Sequence, residues 1–112
     1  MKIRTSELTG AALDWAVAKC DFEGAPPINI VCGVLYTLEG DGWQPSTNWE
    51  QGGPIIEKWM IDVVGYRSGW RAARHCGLAP TYGYGPTPLI AAMRCYVASK
   101  LGEEIELPEE LK

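Results

Sequence analysis

The chain has 112 residues, 46% hydrophobic and 21% charged, which suits one folded domain with a modest core and argues against disorder. Its net charge of −4 resides in residues 103–112, with five Glu and one Lys; the rest carries nine acids and nine bases, and this neutral body argues against general DNA binding, which needs a basic face. No apolar run approaches the roughly 20 residues of a membrane helix, and Met1 leads into Lys2, Ile3 and Arg4 without a signal-peptide pattern, so a cytoplasmic address is expected.

Residues 2–5 alternate weakly and predict a short strand. "TGAALDWAVAKC" follows, with Thr9 as N-cap and Leu13, Ala16, Val17 and Cys20 at helical spacing. Asp14 falls off that apolar stripe and is expected to be solvated. Gly24, Pro26 and Pro27 end the helix. "INIVCGVLY", residues 28–36, is apolar on both alternating faces and predicts a strand covered on two sides. The sixteen residues from Glu39 to Pro54 show no sustained period and read as a long loop, a feature that is often functional in a small domain. "IIEKWMIDVVGY" then predicts a second strand, with Trp59, Ile61 and Val63 on one side. A short helix is expected between Ser68 and Gly77, which would align Arg67, Arg71 and Arg74. "YGYGP" reads as a loop.

The last helix has the clearest signature. Thr87 is a natural N-cap, Pro88 a natural first residue, and Gly102 a left-handed C-terminal residue. Leu89, Met93, Val97 and Leu101, with Ile90 and Tyr96 beside them, form its buried stripe. Ile105 and Leu107 alternate with Glu as an edge strand would. The elements add up to an α+β fold: a small, mostly antiparallel sheet of three to four strands packed against two helices. One domain spans 1–112, with 103–112 an acidic C-terminal extension.

Three blocks, "KIRTSELTGAALDWAVAK", "PSTNWEQGGPIIE" and "YGPTPLIAAMRCYVASKLGEEIELPEEL", cover about half the chain in order. On these residues the sequence resembles the NinX-like family of small lambdoid phage and prophage proteins. The family usually has Asp where this chain has Asn48, and residues 60–81 match none of its blocks. The resemblance implies a phage origin and a host-cytoplasm setting, and it implies no reaction.

Cys20, Cys32, Cys76 and Cys95 form no C-x-x-C pair, and His75 is the single histidine, so mostly buried free thiols are expected, with no metal and no cofactor. The sequence contains no G-x-S-x-G, P-loop, H-E-x-x-H or dinucleotide fingerprint, which argues against an enzyme. The features that suggest binding are Gly/Pro-opened helix starts and tryptophans among polar residues. The first turn of a helix has N–H groups without intrahelical partners and a dipole that favours anions. Thr87 and Gly85 mark one such start, and Gly52 and Gly53 before Pro54 mark another. Trp43 and Trp49 flank Ser46, Thr47 and Asn48, and stacking on an indole suits a nucleobase. The expected ligand set is therefore Trp43, Ser46, Thr47, Asn48, Trp49, Gly52, Gly53, Tyr84, Gly85, Thr87 and Arg94, around a small anionic, nucleotide-like ligand. Capping alone also accounts for the Gly-Pro-Thr-Pro run. The function expected on this reading is a non-catalytic phage accessory protein that sequesters such a ligand, a signal of host defence, and works as a homo-oligomer. The alternatives are a protein–protein module that blocks a host or phage factor, and a small hydrolase acting on the same ligand.

Overall fold

A computed structural model describes residues 2–20 and 26–111. Gly24, expected to help end the first helix, and the Cys76 side chain lie outside the described residues. The α+β class is as the sequence predicts, with three helices and small antiparallel sheets. Strand β1 (Lys2–Arg4) leads through a 3-10 turn (Thr5–Glu7) into helix α1 (Gly10–Lys19). Leu13, Ala16 and Val17 are buried as their spacing requires. Strands β2 (Ile28–Val31) and β3 (Val34–Thr37) follow, then α2 (Trp49–Lys58), β4 (Asp62–Tyr66), β5 (Gly69–Cys76), β6 (Ala79–Gly85), α3 (Pro88–Leu101) and β7 (Glu104–Glu106).

Helix α3 is the hub. It packs on β5 and β6 with one side and against α1 and α2 with the other. Leu89, Ala91, Ala92, Met93, Cys95, Tyr96 and Val97 are all buried, a wider face than the expected stripe because both sides are covered. Its ends behave as the sequence predicts. Thr87 Oγ1 accepts from the Ile90 N–H at 3.2 Å, Pro88 opens the helix, and Gly102 has φ 87°. β7 pairs antiparallel with β1, Ile105 opposite Ile3, which fastens the acidic end to the start of the chain. No helix among the described residues is long and apolar enough to cross a membrane.

Five expected elements need correction. Residues 28–36 are a hairpin: Cys32 and Gly33 both take positive φ, 52° and 78°, the geometry of a tight two-residue turn between Val31 and Val34. Its tip is open to solvent, with Val31 56% and Val34 42% exposed, and it carries Cys32 as an exposed thiol. Burial on two sides does not explain its apolar composition.

The loop expected at 39–54 ends at Asn48, where α2 begins. Two glycines and Pro54 hide this helix from propensity. Three anchors stabilise it. Asn48 Oδ1 accepts from the Glu50 N–H at 2.9 Å. Gln51 bridges back to the loop, accepting from Gln44 N and donating to Gly42 O. Gly52 sits against the Pro45 carbonyl and Leu89, where a Cβ would lie 2.6 Å from Leu89 Cδ2.

The strand expected from Ile55 is the end of α2 up to Lys58 and a strand only from Asp62. A Schellman motif makes the switch: Ile61 N donates to Ile56 O, Met60 N to Glu57 O, and Met60 takes φ 49°.

Residues 69–76, expected as helix, and 79–85, with 82–85 expected as loop, are strands. They complete a three-stranded antiparallel sheet in the order β4-β5-β6. The glycines taken as loop punctuation are the sites where α3 lies on β6. A Cβ on Gly83 would run into Ala91 O and Cys95 N, and one on Gly85 would lie 2.7 Å from Ile90 Cγ2.

Candidate functional site

The expected ligand set depends on free amides at the starts of α2 and α3. At α3, Ile90 N is bound to Thr87 Oγ1 and Ala91 N to Thr87 O. At α2, Glu50 N is bound to Asn48 Oδ1, and Gln51 N and Gly52 N to Asn48 O. These five amides are thus satisfied from within. Gly52 and Gly53 lie inside α2 and not before it.

The loop residues anchor the fold. Trp43 Nε1 donates to Asp14 O at 2.9 Å, and Ser46 N donates to Asp14 Oδ1 at 2.8 Å. Asp14, expected in solvent, is 4% exposed because the loop closes over α1 at that position. Burial pushes its carboxyl above the ordinary range, and hydrogen bonding from Ser46 pulls the other way. Trp43, Ser46 and Thr47 do share one shallow hollow, of about 220 Å³, with Asp14 and Val34. Trp49 is 57% exposed on the first turn of α2, while Trp43 is half-buried.

Tyr84, Gly85 and Arg94 come together elsewhere, in a hollow of about 460 Å³ beside the three-stranded sheet. Tyr66, Tyr82, Ser68 and Trp70 complete the parts of its wall that carry chemistry. Arg94 is a brace in this wall: its Nε donates to Leu8 O at 2.9 Å and its Nη1 to Tyr84 O at 2.8 Å. Burial lowers its pKa from the ordinary value.

The register shows why the tyrosines gather there. Directly paired residues share a face, so Arg71 lies opposite Val64 and Tyr84, and Ala73 opposite Asp62 and Tyr82. The inward positions, Trp70, Ala72, Arg74 and Gly83, belong to the face that α3 covers. The outward face carries Val64, Tyr66, Tyr82 and Tyr84, all exposed. In its middle the Arg71 guanidinium lies 5.6 Å from the Tyr66 ring and 5.4 Å from the Tyr82 ring. Arg71 Nε is buried without a hydrogen-bond partner, and among the described residues no carboxylate pairs with Arg71. With rings on either hand and Nε buried, only the two Nη groups could meet a phosphate or carboxylate in a fork.

A second hollow, of about 410 Å³, lies on the other side of Tyr82, lined by Asp62, Val64, Arg71, Ala73 and His75. His75 Nε2 and Asp62 Oδ2 are 2.9 Å apart there. A different cationic cluster surrounds Trp59, with Lys100, Arg74 and Lys58 at 4.0, 4.6 and 5.1 Å from the ring centroid. Lys58 and Lys100 sit in the last turns of α2 and α3, where the helix dipole favours a cation, and Tyr96 stacks on the same ring at 5.8 Å. This cluster is accounted for by the fold.

Of the expected set, Tyr84, Gly85 and Arg94 share one hollow with Tyr66 and Tyr82, which lie outside that set, as do Arg71 and His75 in the neighbouring hollow. The available signal was period-two alternation: Arg71, Ala73, His75 and Tyr82, Tyr84 are successive outward positions of two strands. Among the described residues no cluster of His, Cys, Asp and Glu is placed to hold a metal ion. No curated protein matches the sequence. Residues 4–100 match the family described as Bacteriophage P22, NinX, and the chain belongs to that family.

Proposed function

We propose that this phage-family protein binds a small anionic, ring-bearing, nucleotide-like ligand on the outer face of its three-stranded sheet. The observation that supports this is Arg71: a guanidinium without a carboxylate partner among the described residues, lining one hollow and set between Tyr66 and Tyr82, two rings that line the other. An arginine held by two rings keeps its charge and has lost side-chain freedom before the ligand arrives, which lowers the entropic cost of binding. Tyr84 supplies another exposed ring for a base. The neutral body with an acidic end disfavours a long polyanion and leaves a small one.

In a phage protein, such binding serves sequestration of a nucleotide-type signal of host defence, in the host cytoplasm. Association of copies through the exposed tyrosines would deepen the hollows, so a homo-oligomer belongs to the same reading. Calorimetry of the intact chain against linear and cyclic nucleotides is the test. Binding should be abolished in Arg71→Met with the fold retained; a well-folded protein that takes up no nucleotide ends the proposal.

The same exposure of Val64, Tyr66, Tyr82 and Tyr84 favours a second reading, a protein-binding face that blocks a host or phage factor. It separates from the first by recovery of one stoichiometric protein that the Tyr82→Ser variant loses while nucleotides have no effect.

A further inference from the structure

Resting on the nucleotide reading above, we infer that the ligand is a dinucleotide with a single internal phosphate: two nucleosides joined by one phosphodiester, one in each hollow, the phosphate on Arg71. Two counts lead to this class.

The first is a count of charges. The cationic side chains lining the two hollows, histidine aside, are Arg71 and Arg94. Arg94 already donates to two carbonyls, Leu8 O and Tyr84 O. Arg94 keeps its charge and three further N–H groups but is fixed to the wall by those two bonds, so Arg71, which pairs with no carboxylate among the described residues, is the guanidinium placed to take one phosphate by two parallel N–H···O bonds. Asp62 lines the second hollow and repels any further phosphate placed there. A triphosphate chain would therefore carry charge that the site does not meet.

The second is a count of ring positions. Tyr82 lines both hollows, and Arg71 lies over its ring, so the phosphate position is the ridge between them. On one side a base meets Tyr66, Tyr84 and Trp70, with Ser6 and Ser68 to read polar edges. On the other side it meets Val64, Ala73 and the rings of His75 and Tyr82, and the Asp62 carboxylate can accept from an exocyclic amino group. Hollows of about 460 and 410 Å³ are similar in size, as two similar halves require.

The test is calorimetry of the full-length protein with a nucleoside monophosphate, the corresponding dinucleoside monophosphate and the nucleoside triphosphate. The dinucleoside monophosphate should bind about ten-fold or more tighter than the monophosphate, because a second base is stacked. The triphosphate should bind no tighter than the monophosphate. His75→Ala, at an exposed position, should bring the dinucleotide down towards the affinity of the mononucleotide. Equal affinity for mono- and dinucleotide, tightest binding of the triphosphate, or an unaltered dinucleotide affinity in His75→Ala overturns the inference while the nucleotide reading survives. Absence of binding by all three ligands overturns both.

Discussion

Gly83 of β6 and Cys95 of α3 meet backbone to backbone: a Cβ on Gly83 would lie 2.8 Å from Cys95 Cα and closer still to its nitrogen. The hub helix can rest on the sheet only because this position has no side chain. Gly83→Ala forces either the strand or the helix to move, so it should destabilise the protein by about 3 kcal/mol, the upper range for overpacking. Urea denaturation followed by tryptophan fluorescence measures it. A loss below about 0.5 kcal/mol would mean that α3 does not lie where it is described.

Asp14 and Ser46 give a pH-dependent prediction. Burial raises the folded-state pKa of Asp14, so its contribution to stability is fully present below the ordinary value of 3.8 and is lost as pH rises through the raised value. Asp14→Asn, which keeps an acceptor for the Ser46 N–H and cannot ionise, should gain stability relative to the native chain across that window. Asp14→Ala leaves the Ser46 N–H unpaired and should cost about 1–3 kcal/mol relative to Asn. Thermal melts of the three proteins from pH 3 to pH 7 decide; parallel curves for the native chain and Asp14→Asn would refute the carboxyl's role.

Met60 holds a left-handed conformation, φ 49°, at a solvent-exposed helix end that usually belongs to glycine. Met60→Gly should therefore stabilise the chain by about 1 kcal/mol, since the conformation costs a non-glycine residue about 1–2 kcal/mol and glycine returns part of that as entropy. A lower unfolding midpoint in this variant would contradict the Schellman ending of α2.

The two loop tryptophans should respond differently. Trp43→Phe removes the indole N–H that donates to Asp14 O and should cost about 1 kcal/mol. Trp49→Ala, on an exposed first turn, should change stability by less than about 0.5 kcal/mol. It should also leave nucleotide affinity unchanged, because Trp49 lines neither hollow beside the sheet. A fall in affinity in Trp49→Ala would return the site to the loop.

Sequence by itself determined those elements whose signals are local. Thr87, Pro88 and Gly102 bracket α3 through local geometry, and the Leu13, Ala16, Val17 spacing marks α1, although Thr9 holds the N-cap position there without a side-chain capping bond. Tertiary structure decided the elements whose local preference is weak or contrary. α2 forms through two glycines and a proline because Asn48, Gln51 and the seat of Gly52 against Pro45 and Leu89 hold it. β6 forms through Gly83 and Gly85 because α3 occupies the space their side chains would fill. The candidate site follows the same division. Tyr84, Gly85 and Arg94 were legible near a strong helix signal, whereas Arg71 joins Tyr66 and Tyr82 only through cross-strand register, and register depends on the pairing of distant segments rather than on any one of them.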